Sequence, residues 1–490
     1  MKLSRLSGIG LLALLGGCTV GPDYQRPTTA VAQQFKEPPP EGWAQATPSD
    51  AAPKGNWWTD FHDPLLDELE PQVEVSNQTV RENYANYQQA LAEVKVARAQ
   101  LFPVLGLTAS GTRAGGSTSA GRSGGSVVNS GSLQGTANWT LDIWGRIRRL
   151  VEENSAVAQA DEATLANATL SEQTLLATSV IELRLADANI DLAEKTVAAY
   201  QESLRIVAAQ GNAGISATPP SAVITAQVQL ETEQANLIGL GVARAQYAHA
   251  IAVLVGKKPE DLEIARTNLM PALPEIPAGV PSLLLQRRPD IAAAERTMKA
   301  QNAAIGVAIS AYYPTISLSG AAGFTQAPLD GLLHTANYAW SLGASATETI
   351  FDFGERAGEV QAARAQYDAS VASYRNIVLT AFEDVENDLS GLRILQNQSN
   401  ALDKAVQHSI RGSQIAFSEF QAGTVDYTTV ALAQEAQLAD QQSALAVQQS
   451  RLLTAVSLIG DLGGGWSDRN LHDPADPKTL PPDPSEDPSR

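Results

Sequence analysis

Between positions 146 and 210 the chain runs through 65 residues without a proline or a glycine. A helix over that stretch spans roughly 98 Å at 1.5 Å per residue. No single globular core is that long, and helical stability comes mostly from packing an apolar face rather than from propensity. The stretch therefore needs other long helices beside it. Leu183, Ile190, Val197 and Leu204 recur every seven residues, with Ala186, Ala193, Tyr200 and Val207 three positions later. That is the seam of a coiled coil.

The chain then repeats itself. "LDIWGRIRRLVEENSAVAQA" around Trp144 and Gly145 recurs as "IFDFGERAGEVQAARAQYDA" around Phe353 and Gly354, at an offset of 209 residues that Gly214 and Gly423 also keep. "ARAQLFPVLGLTASG" around Pro103 recurs as "AISAYYPTISLSGAAG" around Pro314, at an offset of 211. A period this long is a duplicated subdomain rather than a short-repeat solenoid.

Each copy has one order of parts. A shorter helix, over about 77–100 or 290–310, ends at an aromatic–proline pair. Alternating segments follow, with Pro103, Leu105, Leu107 and Ala109 on one face, and Ile316, Leu318, Gly320 and Ala322 in the second copy. A Gly-containing loop leads to a second strand, carrying Leu133, Gly135, Ala137, Trp139 and Leu141, or Trp340, Leu342 and Ala344. Trp139, Trp144 and Trp340 suit membrane–water boundaries. A soluble antiparallel sheet has the same alternation. Then come the long helices, over about 146–210 and 355–422, and returning helices over about 221–255 and 428–459. The shorter and returning helices together match the long one in length, so stacked end to end they run alongside it. Gln441 and Gln448 interrupt the last seam of Leu438, Leu445, Leu452 and Ile459, which predicts a partly wet face.

Two strands per copy make four per chain. Four strands cannot close a membrane barrel, since both edges would expose unpaired backbone to lipid. Eight strands from two chains enclose a filled interior, whereas twelve from three chains leave an aqueous lumen. The fold class expected is mixed α+β: a trimeric 12-stranded transmembrane β-barrel continued by a long periplasmic α-helical coiled-coil barrel. No later segment has eighteen uninterrupted apolar residues, so a spanning helix is not expected.

The sole cysteine, Cys18, follows Lys2, Arg5 and an apolar run over 6–15. Its setting, Leu15-Gly16-Gly17-Cys18, has the layout of a secretory signal ending at a lipobox-like site, with outer-membrane lipid as the anchor's partner. Thr19, rather than Asp, fits outer-membrane retention. The net charge of −19 argues against nucleic acid as a partner. His62, His249, His334, His408 and His472 are scattered, and neither a nucleophile–base set nor a phosphate loop stands out. The expectation is no enzyme, no cofactor and no metal.

"CTVGPDYQRP", "NWWTDFHDPLLDEL", "VPSLLLQRRPDIAAAE" and "EFQAGTVDYTTVALAQEAQL" together resemble the outer-membrane factor family of tripartite efflux systems, in its NodT-like and OprM-like branch. The resemblance covers the chain from Cys18 to about Trp466. It implies a homotrimeric passive exit duct with a periplasmic adaptor (membrane fusion protein) and an inner-membrane RND-type transporter as partners. By the same resemblance the tips, Gly214, Ile215 and Ser216 with Gly423, Thr424 and Val425, dock the adaptor. The OprM-like pattern narrows the duct with a Leu after the tip Tyr, an Asp four residues on and an Arg three beyond. This chain keeps Asp426 and Tyr427 but has Thr428, Leu432 and Glu435 at those positions, which together form the expected aperture. Trp57 and Trp58 read as packing residues, and Arg287 and Arg288 as partners of nearby carboxylates.

The expected organisation is a signal peptide at 1–17, an N-terminal and equatorial segment at 18–76, and a first repeat at 77–260. An equatorial linker at 261–288, a second repeat at 289–465 and a disordered Pro- and acid-rich tail at 466–490 complete it. Two other functions fit this plan: an exit channel for type I protein secretion, and a non-conducting coiled-coil lipoprotein of the envelope.

Overall fold

A computed structural model of the chain describes residues 19–27, 35–37, 56–115, 127–212, 219–274, 276, 287–327 and 331–474. After a 3-10 turn, Trp57–Phe61, the elements are α1 (Pro64–Ser76), α2 (Gln78–Ala99), β1 (Val104–Gly115), β2 (Val127–Leu141), α3 (Arg146–Asn212) and α4 (Pro220–Leu254). The second repeat supplies α5 (Pro289–Ser310), β3 (Thr315–Gln326), β4 (Tyr338–Thr347), α6 (Glu355–Gln421) and α7 (Tyr427–Asp461). Both long helices have 67 residues and both returning helices 35. Local chemistry sets their ends. Asp63 caps α1 through Leu65 N–H, Asn77 caps α2 through the N–H groups of Thr79 and Val80, and prolines open α4 and α5.

The four strands form one antiparallel meander in the order β1-β2-β3-β4. Leu105 opposes Ala137, Ala137 opposes Gly320, and Gly320 opposes Leu342. The apolar residues singled out in each strand thus share one face of the sheet. Pro103 alone falls outside, one residue before β1 begins. The other face carries hydroxyls and amides: Ser110 and Ser132 are bonded at 2.8 Å, and Gln134 donates to Thr325 Oγ1 at 3.0 Å. One side of this sheet suits lipid and the other water.

Below the sheet, the shorter and returning helices meet end to end. Asn77 Nδ2 donates to the last carbonyl of α4, Leu254, at 2.9 Å. Gly256 makes this approach possible: at φ +70 it stands where a Cβ would come within 2.3 Å of Ser76 O. In the second repeat Arg288, just before α5, donates to Asp461 O at 3.2 Å and to its carboxylate at 3.0 Å. Each stacked pair packs along a long helix, and Leu183, Ala193, Tyr200 and Val207 of the α3 seam are buried. At the junction level a core gathers Trp57, Trp58, Phe61, Leu66 and Leu69 against Leu176, Val180, Val385 and Val456. Arg184 on α3 meets Asp63 with two bonds of 2.8 and 3.0 Å, both groups being buried. Removing one partner of such a pair costs about 3–5 kcal/mol.

Four features add to the expected plan, and one of them, the tail, corrects it. The helix α1 forms despite Pro71 inside it, because Leu66, Leu69 and Val73 share a buried face. The tail is not unstructured from 466. Residues up to 474 lie against α3 and α2: Glu162 of α3 accepts from the His472 N–H at 2.9 Å, and Arg98 of α2 donates to Pro474 O at 2.8 Å. The helix α4 is long and apolar enough to cross a membrane by length and composition. It is instead pinned to α3 by Arg244, which donates to Asp187 at 2.6 Å and to Ile264 O at 2.9 Å. Finally, residues 19–24 form a strap under the sheet. Val20 N–H donates to Trp144 O, Arg149 donates to Val20 O and to Asp23, and Tyr24 donates to Glu295 at 2.6 Å. Cys18 lies outside the described residues, as do residues 475–490.

Candidate functional site

The strands and the tips stand at opposite ends of the long helices. At the tip of the second repeat, Gly423 N–H donates to Phe420 O at 2.9 Å and Thr424 N–H to Glu419 O at 3.0 Å. These bonds satisfy the last carbonyls of α6 and require a left-handed residue between them, and Gly423 has φ +75. Val425 leads into Asp426, whose carboxylate accepts from Thr429 N–H at 3.1 Å and so caps α7. The first tip, with Gly214, Ile215 and Ser216, lies outside the described residues.

The structure splits the aperture set in two. Tyr427 is buried: its ring packs edge-on against Phe420 and its hydroxyl donates to Gln229 Oε1 at 3.0 Å. Burial pushes its phenol up to about 12, and Glu435 adds to this while a Ser203 hydrogen bond opposes it. It belongs to a stripe with Val430 and Ala431 that packs against Val207, Ala222 and Ala226 of the first repeat. Tyr427 therefore does not present a face to open space. Thr428, Leu432 and Glu435 recur at i, i+4 and i+7 on α7, and all three are exposed, as is Asp426.

Sequence pattern missed the polar ties that hold α7 to α3 and α4. Gln434 donates to Ser203 Oγ at 3.1 Å, and Gln229 meets both Tyr427 and the Ala431 carbonyl. The available signal was amides interrupting apolar seams. Higher up, Gln441 and Gln448 line a cavity of about 560 Å³ with Asp191, Lys195, Asp403 and Arg451, the wet face their placement suggested. Among the described residues, no group of three His, Cys, Asp or Glu side chains is placed to hold a metal.

The arrangement is a sheet with one polar face continued by a helical column. The outer membrane efflux protein family matches residues 69–257 and 280–464. The toluene efflux pump outer membrane protein TtgI of Pseudomonas putida is 32% identical over 475 residues, 95% of this chain and 99% of TtgI. The cation efflux system protein CusC of Escherichia coli is 28% identical over 458 residues, 92% of this chain and 96% of CusC. The solved outer-membrane channel OprN superposes with a TM-score of 0.85 at 30% identity, covering 92% of this chain and 100% of OprN. The chain belongs to the outer membrane efflux protein family, and it is an outer-membrane channel protein whose long helices extend into the periplasm.

Proposed function

We propose that three copies of this chain close a 12-stranded barrel and serve as the passive exit duct of a tripartite efflux pump. The observation that carries this reading is the open four-stranded sheet, with hydroxyls and amides on one face and unpaired β1 and β4 at its edges. Such edges cannot stay exposed in lipid, and three copies supply enough strands for a water-filled lumen. The duct carries small toxic compounds handed to it by an RND-type inner-membrane transporter through a periplasmic adaptor. The tips at Gly423, Thr424 and Val425, with the first tip at Gly214, receive the adaptor. Cys18 carries lipid, and the strap that follows it at residues 19–24 is tied to the long helix and its approach through Val20 and Trp144. The duct performs no bond chemistry and holds no cofactor. Selection among cargoes then belongs to the transporter, which accommodates relatives named for toluene and for cations alike.

The test is to reconstitute the protein in planar bilayers and to express it in an efflux-deficient strain beside a cognate transporter and adaptor. Stepwise ion conductance together with restored resistance supports the duct. Trimers that carry no current would favour the structural-lipoprotein reading, and conductance with restored secretion of a protein but no resistance would favour the secretion channel.

A further inference from the structure

Each repeat has one joint where a shorter helix meets the end of a returning helix, and the two joints are built from different chemistry. Asn77 and Arg288 hold the same place, as the residues before α2 and α5. Each donates a side-chain N–H to the last carbonyl of its returning helix, Leu254 O or Asp461 O. Asn77 is neutral; its amide also donates to Glu172, and its oxygen accepts from the N–H groups of Thr79 and Val80. Arg288 can only donate, and carboxylates gather around it. Asp290 takes two of its N–H groups at 3.1 and 2.8 Å, Asp461 lies at 3.0 Å and Asp384 at 3.7 Å. Asp388, one turn beyond Asp384 on α6, completes the group against Asp461. From this arrangement we infer that Asp388 and Asp461 share one proton, which makes the second joint the proton-sensitive one of the two and holds the upper end of α7 on α6.

Charge and contact both call for that proton. Asp290, Asp384, Asp388 and Asp461 surround one guanidinium, so the fully ionised group carries excess negative charge even with Arg287 counted, which is half-buried with its carbonyl close to Gly463. The Oδ2 atom of Asp388 is buried and no donor among the described residues reaches it, although Ser457 bonds the same carboxyl. A carboxylate oxygen held this way loses its water for nothing, whereas a carboxylic O–H there donates to Asp461. Burial, and then the Asp461 charge, push Asp388 up to about 8; Asp461 is raised too, by burial and against the pull of Arg288. The two titrate as one unit. Elsewhere on this part of α6, Glu386 accepts from the N–H groups of Lys36 and Glu37, Arg393 pairs with Glu37, and Glu383 is exposed. Val385 and Leu389 close the same turn into the apolar core. The consequence falls on α7, whose 35 residues run roughly 50 Å from this joint to the stripe at Thr428, Leu432 and Glu435. Slack at the joint becomes movement at the tip. Below about pH 4 the closed and open joints both keep the proton; as pH rises the open, solvated joint gives it up first, so opening becomes easier up to about pH 8 and then levels off.

Two measurements on the full chain test the shared proton. Infrared difference spectra between about pH 6 and about pH 9 read it directly, as the C=O stretch of a buried carboxylic acid that is lost on the alkaline side. Asp388→Asn and Asp461→Asn should each remove the same band, because the two side chains hold one proton between them, while Glu70 contributes alike in all three proteins. Amide exchange at Gly463 and Gly464, whose N–H groups donate to Gly460 O and Ile459 O at the end of α7, reads the opening. Corrected for intrinsic exchange, opening in the parent should be at least tenfold easier at about pH 7.5 than at about pH 5.5. Asp388→Asn should hold one level across that range, since asparagine donates to Asp461 at any pH. It should also leave exchange at Gly256 and Lys257, in the first joint, as it is in the parent. A band that survives in either variant, or one pH slope shared by the parent and Asp388→Asn, would overturn the proposal. Should neither variant fold, the parent alone decides: opening of the second joint that ignores pH overturns it, and a tenfold rise confined to that joint supports it.

Discussion

Glu70 projects from α1 into the core that Leu66, Leu69 and Val73 also enter, and it is fully buried. Neither carboxyl oxygen has a hydrogen-bond partner, so nothing offsets the loss of water around a charge. Burial pushes the group from 4.5 up to about 9, which keeps it neutral at pH 7. The sign of the linkage follows. Below about pH 4.5 the folded and unfolded chains both hold the proton, and the group costs nothing by ionisation. Between 4.5 and 9 the unfolded chain gives up the proton and the folded chain keeps it, so stability falls as pH rises. At pH 7 the cost is about 3 kcal/mol. Glu70→Met should therefore unfold at higher temperature than the parent at pH 8, by a margin that shrinks as the pH falls to 4.5 and only the unpaired neutral carboxyl is left to remove. Thermal unfolding of both proteins across that range decides it, and parallel pH profiles would mean that Glu70 is solvated or paired in the assembled protein. A carboxyl of this kind cannot be found from sequence, where Glu70 looks like one more acid in a charged stretch.

The elements were legible wherever the signal was local. The two 67-residue helices follow from long stretches with few breakers, and the shared face of the sheet follows from strict alternation. What sequence could not show was held by long-range bonds between weak segments. The strap at residues 19–24 has no periodicity, and it is fixed by Arg149 and Glu295 from α3 and α5. Residues 466–474 have the composition of a tail, and they are fixed by Arg98 and Glu162. α1 carries Pro71 in its interior, and its helix rests on the buried face of Leu66, Leu69 and Val73. The tip was read correctly as a turn, and it illustrates a constraint of conformation alone: a Cβ on Gly423 would meet nothing within 4 Å, yet its φ is +75. A β-branched residue there should cost about 1–3 kcal/mol from backbone strain. Gly423→Val should speed amide exchange around Thr424 and weaken crosslinking to the adaptor. The trimer should persist, since the strands lie roughly 100 Å away along the helices. Unchanged exchange and full resistance in the variant would show that the tip tolerates the strain.

At the scale of the whole molecule, threefold repetition turns single side chains into rings. Thr428, Leu432 and Glu435 lie on one exposed stripe of α7, and Asp426 stands exposed at its start. Tyr427 is occupied with Gln229 and Phe420 and contributes packing instead. Where three α7 tips converge, Asp426 and Glu435 would set six carboxylates near one axis, an arrangement that attracts cations and repels anions. The preference should be strongest at low salt, where the Debye length grows from about 10 Å at 0.1 M to 30 Å at 0.01 M. Asp426→Asn with Glu435→Gln isolates charge from structure. Asparagine caps a helix as well as aspartate, so the bond from Thr429 N–H can survive the exchange. The double variant should lower the cation preference measured as a reversal potential under a salt gradient, with trimer stability unchanged. Thr428→Phe, by contrast, adds bulk to the stripe without altering charge, and it should lower conductance while leaving the reversal potential alone. An unchanged reversal potential in the double variant would move selectivity away from the tips and up the column, where Asp191 and Asp403 line the cavity beside Gln441 and Gln448.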